Sequence, residues 1–479
     1  MAKYDIKTGE LAEATQEKNE VPTSMALWFA FERDKSKGKS EAIQMVVDYF
    51  LDKYNFLTLG GSKSDDIYFY KEGIYVPDAQ VIIKKEMEEL LIEKSKTVYV
   101  NEVINKIARN TYVDRSKFEE PLNKICLKDN ILNIDNFEIE EFSPETIFLN
   151  KLPVEYNPKS DCPKIKKFIR EVIVPKEDWD NDELNPTDIL TLQEFCGYLL
   201  YKKIIFNRAV MLYGEGENGK STFINLIKRF LGSKNVANVP IQKLETNTFA
   251  TASLFGKLAN LHADLPKKAL EETSKFKQLT GGDTVDAEKK FKDNFSYTPY
   301  AKMIFAANKL PETYDDTRAF WRRWLIFNFP NCFSEEDSST NKSLLDELTT
   351  KEELSGFLNW ALEGLRRLLN NKGFTKNKST EEIREEYIRQ SDSIGAFILD
   401  VIEECPGNYI VKKDLYETYV DYCRDRGYDA VADNSFHRKF HVKIRVREIN
   451  PQVRGKQVKA WSGIRLRMTK RGENDDKLL

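Results

Sequence analysis

Residues 209–232 place an apolar run, a glycine-rich stretch and an amphipathic run in immediate succession. The apolar run, AVMLY, is typical of a buried strand, and the last run, KSTFINLIKRFL, has the spacing of a helix that Gly232 ends. A glycine-rich stretch between a strand and a helix is the context that a phosphate-binding loop requires. This order predicts an α/β core that contains a parallel sheet with flanking helices.

The glycine-rich stretch, GEGENGKS, is called the phosphate loop below (residues 214–221), and it fits the pattern G-x-x-x-x-G-K-[ST] in full. Its glycines allow backbone N–H groups to curl around phosphates, and the following helix N-terminus adds positive potential. Lys220 is expected to reach the β- and γ-phosphates, and Ser221 to offer its hydroxyl to Mg²⁺. The predicted nucleoside triphosphate site comprises Gly214, Glu215, Gly216, Glu217, Asn218, Gly219, Lys220, Ser221 and Thr222.

Hydrolysis of a nucleotide also needs an acid on a second strand, which holds the water shell of the metal. Asp264, at the end of KLANLHAD, is the first candidate downstream. The alternative is that Asp264 caps a helix that follows Pro266. His262 either lies near the site or packs in the core. The sequence therefore does not identify the general base of hydrolysis.

A third apolar run, AKMIFAAN, ends in the amide of Asn308. Ligands bind at the carboxyl ends of strands in open α/β sheets, so Asn308 is expected to orient the water that attacks the γ-phosphate. The alternative is that Asn308 opens the turn before Pro311.

Three arginines, Arg318, Arg322 and Arg323, directly precede the apolar run LIFNF. An arginine supplied in trans to a γ-phosphate accelerates hydrolysis by about 10³- to 10⁵-fold, so an ATPase that forms a ring is expected to use one here. Surface ion pairing is the alternative for any single arginine. The sequence does not distinguish Arg322 from Arg323.

Between the second and third strands, residues 281–297 interleave lysines with aromatic side chains. Lysines bind phosphates, and aromatic rings stack on bases at about 1 to 3 kcal/mol each. A solvated charged loop over core aromatics is the alternative. This lysine loop predicts contacts with single-stranded DNA by Lys289, Lys290, Phe291 and Lys292.

Residues 386–479 predict three helices, IGAFILDVIEE, KDLYETYVDYCRD and NSFHRKFHV, and then a hairpin around PQVRGKQ. This order is typical of a winged-helix domain. The segment from Arg438 to Arg471 contains twelve basic residues and one acidic residue, Glu448. This excess of positive charge predicts a DNA-binding surface rather than one used only for protein contacts. The predicted contacts are Arg438 and Lys439 on the recognition helix and Arg454 and Lys456 on the wing.

The whole chain of 479 residues carries 74 Lys and Arg against 77 Asp and Glu, which excludes a polycation that coats nucleic acid by bulk charge. Its polar N-terminus lacks the apolar core of a signal peptide, and no apolar run is long enough for a membrane span. The six scattered cysteines contain no Cys-x-x-Cys pair, so buried thiols are expected rather than zinc ligands or disulfides. These features predict a soluble protein of the cytoplasm.

The expected organisation has four parts. A polar leader (1–40) precedes an α+β domain (41–158), the α/β ATPase domain with a helical extension (159–385) and the winged-helix domain (386–479).

The phosphate loop, Asp264, the lysine loop, Asn308 and the arginines follow one another within about 110 residues. This order resembles the superfamily 3 helicases, above all the branch of poxviruses and of phage or plasmid primase-helicases, and the likeness covers about 400 residues. In that family, ATP is hydrolysed at the subunit interfaces of a hexameric AAA+ ring, and a hairpin that carries lysines tracks single-stranded DNA.

The resemblance implies that Lys220 and Ser221 bind ATP and Mg²⁺, that Asp264 stands at the Walker B position and that Asn308 is sensor 1. It also implies a DNA contact by one of the loop lysines and an arginine finger at Arg322 or Arg323. Many relatives carry two adjacent acids at the Walker B position, whereas Leu265 follows Asp264 here.

Relatives often begin with a primase domain, whose metal-binding acids work with a histidine. No histidine precedes His262, so we expect no primase activity in this chain. The sequence predicts an ATP-dependent replicative DNA helicase that forms a ring on single-stranded or forked DNA, with a separate primase and polymerase as further partners. A nucleotide-switched origin-binding protein and a packaging ATPase that moves duplex DNA without unwinding it are the alternatives.

Overall fold

The structure of the protein is a computed structural model. It describes residues 37–60, 65–118, 121–181, 186–266, 268–290, 294–333, 341, 343–376 and 378–467. The predicted polar leader lies outside these ranges except for its last four residues, which begin a helix.

The N-terminal region (37–158) combines helices with small antiparallel sheets, as the predicted α+β fold requires. In its first helix Ala42, Val46 and Phe50 recur on one face and are buried. The helices are α1 (Lys37–Lys53), α2 (Ala79–Leu91) and α3 (Thr97–Asn110). The strands are β1 (Phe56–Leu59), β2 (Asp66–Lys71), β3 (Ile74–Val76), β4 (Lys124–Cys126), β5 (Ile131–Asn133) and β6 (Ile139–Glu140).

Sequence reasoning misses α3. Its first residues, TVYV, alternate like a strand, yet Val100, Val103, Ile104 and Ile107 are buried at helical spacing. Packing of this face against the rest of the N-terminal core decides the conformation.

The central region (159–385) is built on a five-stranded parallel sheet, which confirms the predicted α/β core. Its strands are β7 (Ala209–Tyr213), β8 (Val236–Ala237), β9 (Ala259–His262), β10 (Val285–Ala287), β11 (Phe295–Tyr297), β12 (Lys302–Ala307) and β13 (Trp324–Asn328). The parallel sheet has the order β13–β7–β12–β9–β8, and β10 and β11 form a separate antiparallel hairpin. The strand order reverses beside β7, which is where open α/β sheets bind ligands.

Side chains alternate along the strands, so helices cover both faces of the sheet. Val210 and Leu212 pack in a core with α4, α5, α6 and α12, whereas Ala209 and Met211 pack with α7, α9, α10 and α13. These helices and their neighbours are α4 (Pro163–Ile173), α5 (Thr187–Tyr198), α6 (Lys220–Leu231), α7 (Ile241–Thr246), α8 (Thr248–Ala252), α9 (Ser274–Gly281), α10 (Arg318–Trp321), α11 (Leu344–Leu348), α12 (Lys351–Asn371) and α13 (Thr380–Ser391). Within the described ranges, every helix is too short or too polar to cross a lipid bilayer.

The C-terminal region (386–467) packs helices against an antiparallel sheet of order β14–β18–β15. Its elements are α14 (Ser393–Val401), β14 (Ile402–Val411), α15 (Lys412–Arg426), α16 (Asp433–Lys443), β15 (Arg447–Ile449), β16 (Gln452–Val453), β17 (Lys456–Gln457) and β18 (Ala460–Leu466). The helix expected over IGAFILDVIEE ends at Val401, because Ile402 enters β14 and pairs with Leu466 of β18. That partner strand lies about sixty residues away, beyond the reach of a local pattern.

Candidate functional site

The phosphate loop connects the end of β7 to the start of α6 at the carboxyl edge of the sheet. Gly214 has a φ of 153°, and a Cβ there would lie 2.1 Å from Nδ2 of Asn218 and 2.5 Å from the carbonyl oxygen of Phe329. Gly219 has a φ of 85°, and a Cβ there would lie 2.6 Å from Cγ1 of Val172. Both positions therefore require glycine.

Lys220 is folded back over this loop. Its Nζ donates hydrogen bonds to the carbonyl oxygens of Gly214 (2.7 Å) and Glu215 (3.0 Å) and to Oδ1 of Asn218 (2.7 Å). Ser221 is exposed on the first turn of α6. Within the described residues, the hydrogen-bond acceptors of this lysine are neutral. A lysine so placed beside a helix N-terminus fits a triphosphate, and the exposed hydroxyl fits its Mg²⁺.

The titration of Lys220 gives a first prediction. Burial lowers the pKa of this amine to about 8, and the nearby Asp264 carboxylate opposes the shift. At about pH 9 the free protein therefore holds mostly neutral Lys220, whereas phosphate oxygens would favour the charged form. We expect nucleotide binding to take up most of one proton there, and the affinity to fall up to about tenfold per pH unit above 8.

Calorimetric titration of a nucleotide in buffers of different ionisation enthalpy measures this proton uptake. Lys220→Arg is the control, because its guanidinium stays charged throughout this range and should bind without uptake. Equal uptake by the two proteins would assign the proton to another group.

Asn308 lies beside the phosphate loop at the same edge of the sheet. It follows Ala307 of β12, and Ala307 pairs with Tyr213 of β7, the residue that Gly214 follows. The Asn308 side chain is exposed. It is therefore accessible to a ligand above the carboxyl ends of these strands.

Asp264 stands at this edge too, two residues beyond the end of β9. β9 pairs in parallel with β12, with His262 opposite Phe305. The Asp264 side chain is exposed, and it is close enough to Lys220 to influence the pKa of that amine. Among the described residues no helix begins between Asp264 and α9, so the helix-capping alternative lacks a helix.

His262 is half-buried at the end of β9. Its Nδ1 lies 2.6 Å from Oδ1 of Asn238, and burial lowers the pKa of the ring. These contacts favour a packed, structural His262 over a group that serves the nucleotide.

Arg322 and Arg323 lie at the opposite edge of the sheet. They directly precede β13, and the N–H of Ala209, the first residue of β7, donates to the carbonyl oxygen of Arg323 (2.7 Å). The five residues of β7 separate this edge from the phosphate loop by roughly 16 Å. The backbone of both arginines is thus remote from the phosphate loop of its own chain.

The two arginines differ in their surroundings. Arg323 is 6% exposed, and its guanidinium donates to Oγ1 of Thr280 (2.9 Å) and to the carbonyl oxygens of Lys277 (3.2 Å) and Ala319. Burial lowers the pKa of this guanidinium. The side chain of Arg322 is exposed, so of this pair it is the one available to a second molecule.

A segment that resembles a polar linker in the sequence also packs against the phosphate loop. The N–H of Phe333 donates to the carbonyl oxygen of Glu217 (2.7 Å), and Nδ2 of Asn331 donates to the carbonyl oxygen of Glu171 (2.6 Å). The ring of Phe333 stacks on Trp179, with centroids 6.3 Å apart. Sequence reasoning misses these residues because isolated aromatics in polar segments form no periodic pattern.

The lysine loop (residues 281–297) contains the β10–β11 hairpin. Nζ of Lys289 lies 3.0 Å from Oδ2 of Asp66 in the N-terminal region and 5.3 Å from the ring centroid of Phe295. Lys290 is exposed, whereas Phe291 and Lys292 lie outside the described residues. Lys289 is therefore held within the chain, and Lys290 is open to a ligand.

The predicted DNA contacts of the C-terminal region lie on α16 and on the β16–β17 hairpin. Arg438, Arg454 and Lys456 are exposed. Nζ of Lys439 instead lies 3.5 Å from Oε1 of Glu312 in the central region. This ion pair links α16 to the loop that follows Asn308.

Three family models match parts of the chain. Residues 11–174 match "D5 N terminal like", residues 389–465 match "Poxvirus D5 protein-like", and residues 212–323 match a "Family of unknown function (DUF5906)".

Two viral proteins are similar to part of the chain. "Putative helicase L207/L206" of Acanthamoeba polyphaga mimivirus is 27% identical over 216 residues, which cover 43% of this chain and 22% of that protein. "Putative helicase 184R" of Invertebrate iridescent virus 6 is 27% identical over 225 residues, which cover 40% of this chain and 23% of that protein. The chain thus spans less than a quarter of the length of the curated relatives that it matches.

Among solved structures, apo forms of the NrS-1 C-terminal region are similar to this chain. Two of them have TM-scores of 0.43 and 0.44 at 12% and 13% identity, and the likeness covers 87% of this chain and 98% of theirs.

Proposed function

Because the chain belongs to the D5-like branch of the superfamily 3 helicases, we propose that it is an ATP-dependent helicase in the DNA replication of a virus, plasmid or integrated element. One observation carries this proposal. The phosphate loop, Asp264 and Asn308 share the carboxyl edge of the central sheet, and Arg322 is exposed at the opposite edge.

ATP would lie on the phosphate loop, held by the loop N–H groups and by Lys220. Lys220 would then exchange its present acceptors on the loop for phosphate oxygens. Ser221 and Asp264 would hold Mg²⁺, which when bound neutralises charge on the phosphate oxygens. Asn308 would orient the attacking water at the open edge of the sheet.

Arg322 would complete the nucleotide site of a neighbouring copy. A head-to-tail contact between identical chains closes into a ring when its rotation is an exact fraction of a turn. In a hexameric AAA+ ring, as in this family, the sheet edge that carries Arg322 in one subunit would face the sheet edge that carries the phosphate loop in the next subunit. Isolated monomers would then hydrolyse ATP poorly.

DNA would contact the lysine loop through Lys290 and its neighbours, and the C-terminal region would act as a winged helix. The helices α14 to α16 and the sheet β14–β18–β15 fit that fold, with the β16–β17 hairpin as the wing. The exposed Arg438 on α16 and Arg454 and Lys456 on the wing would bind phosphates.

The test is ATP-driven displacement of one strand from a forked DNA duplex. We expect the purified chain to displace the strand and Lys220→Ala to displace none, because the variant loses the side chain that reaches the phosphates. The control is Lys228→Ala, which removes an exposed lysine from the same helix and should leave displacement unchanged.

Hydrolysis of ATP without displacement would overturn the helicase proposal. It would point instead to a motor that moves along duplex DNA or to a binder whose nucleotide sets its assembly.

A further inference from the structure

A cleft of about 1310 Å³ separates the N-terminal region from the central region. One wall is formed by residues 68–155. The other is formed by residues just before β8, the segment that joins α8 to β9, Lys289 and the residues around the start of α12. The cleft is lined by six lysines, Lys128, Lys151, Lys234, Lys257, Lys289 and Lys351. The lining also contains four acidic residues, Glu72, Asp78, Asp129 and Glu155.

Three of these six lysines form ion pairs with carboxylates. Nζ of Lys128 and of Lys351 lie 2.5 Å and 3.9 Å from Oε1 of Glu155, and Lys289 pairs with Asp66. In the described parts of the chain, the remaining three lysines form no ion pair with a carboxylate. These are Lys151, Lys234 and Lys257.

Two of these three lysines are half-buried and donate hydrogen bonds to backbone carbonyl oxygens. Nζ of Lys151 donates to the carbonyl oxygen of Glu72 (2.7 Å), and Nζ of Lys257 donates to the carbonyl oxygen of Lys234. Burial lowers the pKa of Lys257. A half-buried ammonium group that has only carbonyl acceptors gains more from an added anion than a solvated one does, because the local dielectric constant is lower.

The cleft is continuous with the lysine loop. Lys289, two residues after the end of β10, lines the cleft, and its Nζ lies 5.8 Å from the ring centroid of Phe255. Phe255 also lines the cleft and packs edge-on against Phe295 of β11, with centroids 5.7 Å apart. A strand held by the lysine loop therefore has a path leading away from it whose lining contains six lysines and four acidic residues.

We propose that this cleft binds the phosphodiester backbone of a single strand of nucleic acid that runs on from the lysine loop. The inference rests on the proposed function for the lysine loop. It adds a second site of contact with the strand, in the cleft between the N-terminal and central regions. Grooves that bind single strands combine basic side chains with an aromatic surface, and here the lysines and Phe255 supply both. A cleft with two walls admits a flexible strand, whereas a rigid duplex can only lie across its mouth.

The test measures binding of labelled oligo(dT) to the full chain by fluorescence anisotropy over a range of salt concentrations. The variant carries Lys151→Ala, Lys234→Ala and Lys257→Ala, and the matched control carries Lys84→Ala, Lys85→Ala and Lys159→Ala, three exposed lysines outside the cleft. The loss of three phosphate contacts should weaken binding by about 10- to 100-fold. It should also reduce the slope of log K against log salt by about 2, since each contact to a single strand contributes about 0.7.

A single variant and two further ligands serve as controls for misfolding of the triple variant and for the kind of nucleic acid that is bound. Lys234→Ala alone removes an exposed side chain and should give about a third of the slope change, even if the triple variant folds poorly. Oligo(U) separates DNA from RNA as the bound strand, and a duplex of equal length should show no slope change. A salt slope equal to that of wild type in both the triple variant and Lys234→Ala would overturn the inference. An equal loss of affinity for the duplex would overturn it too. Failure of the wild-type chain to bind any single strand would overturn the proposed function and the inference together.

Discussion

Replacing Arg322 with alanine is expected to lower ATP hydrolysis by the assembled protein by about 10³-fold or more, the effect of losing an arginine that acts in trans. The side chain is exposed, and it lies at the edge of the sheet opposite the phosphate loop. Its loss should therefore leave the nucleotide affinity of the same chain unchanged. Steady-state hydrolysis and nucleotide binding, measured on the same preparation, separate the two effects.

Mixing two inactive variants tests whether Arg322 acts between subunits. In rings formed from equal amounts of Lys220→Ala and Arg322→Ala, roughly a quarter of the interfaces combine an intact phosphate loop with an intact arginine. Hydrolysis should recover to about that fraction of the wild-type rate. No recovery in mixed rings would contradict a role of Arg322 in the nucleotide site of a neighbouring subunit.

Arg323→Ala is the contrasting variant for this experiment. Its guanidinium is buried against α9 and α10, so its removal leaves the Thr280 hydroxyl and two carbonyl oxygens without their donor. Such a loss destabilises a protein by about 1 to 3 kcal/mol or more. We expect a lower melting temperature for Arg323→Ala and an unchanged one for Arg322→Ala.

Replacing Asp264 with asparagine is expected to lower the rate constant of hydrolysis by about 10²- to 10³-fold, in the range seen when one electrostatic contact to a transition state is lost. The amide keeps the size of the side chain and removes the charge that would face Mg²⁺. Single-turnover hydrolysis measures the loss. Nucleotide binding should stay within about tenfold of wild type, because Lys220 and the loop N–H groups are untouched.

His262→Ala is the control for Asp264→Asn, since His262 lies two residues away and contacts Asn238 instead of the loop. It should lower the rate by less than about tenfold. Without the Asp264 carboxylate the pKa of Lys220 should also fall, which moves the proton uptake on nucleotide binding to lower pH. A wild-type rate in Asp264→Asn would assign the metal contact to another side chain.

Several features of the fold and the candidate site are predictable from local patterns. The apolar run, the glycine motif and the amphipathic run of residues 209–232 predict β7, the phosphate loop and α6 without knowledge of the rest of the chain. Asp264 and Asn308 are predictable for a related reason, because each follows an apolar run that becomes a parallel strand.

Other features depend on contacts between residues far apart in the chain. Arg322 and Arg323 are equivalent in the sequence, and the packing of Thr280 against one of them makes only the other available. Lys289 is one of several lysines in its loop, and its pairing with Asp66 joins residues more than two hundred positions apart. The lysines of the cleft come from both of its walls and share no sequence motif.

The sequence by itself therefore determined which segments form the strand, the loop and the helix of the nucleotide site. The steric limits on glycine and the periodicity of apolar side chains act over a few neighbouring residues. Tertiary structure alone decided which arginine is exposed, which lysine is paired and where the basic cleft lies. Burial and ion pairing depend on distances between remote segments, and only the packing of the sheet, its helices and the N-terminal region fixes those distances.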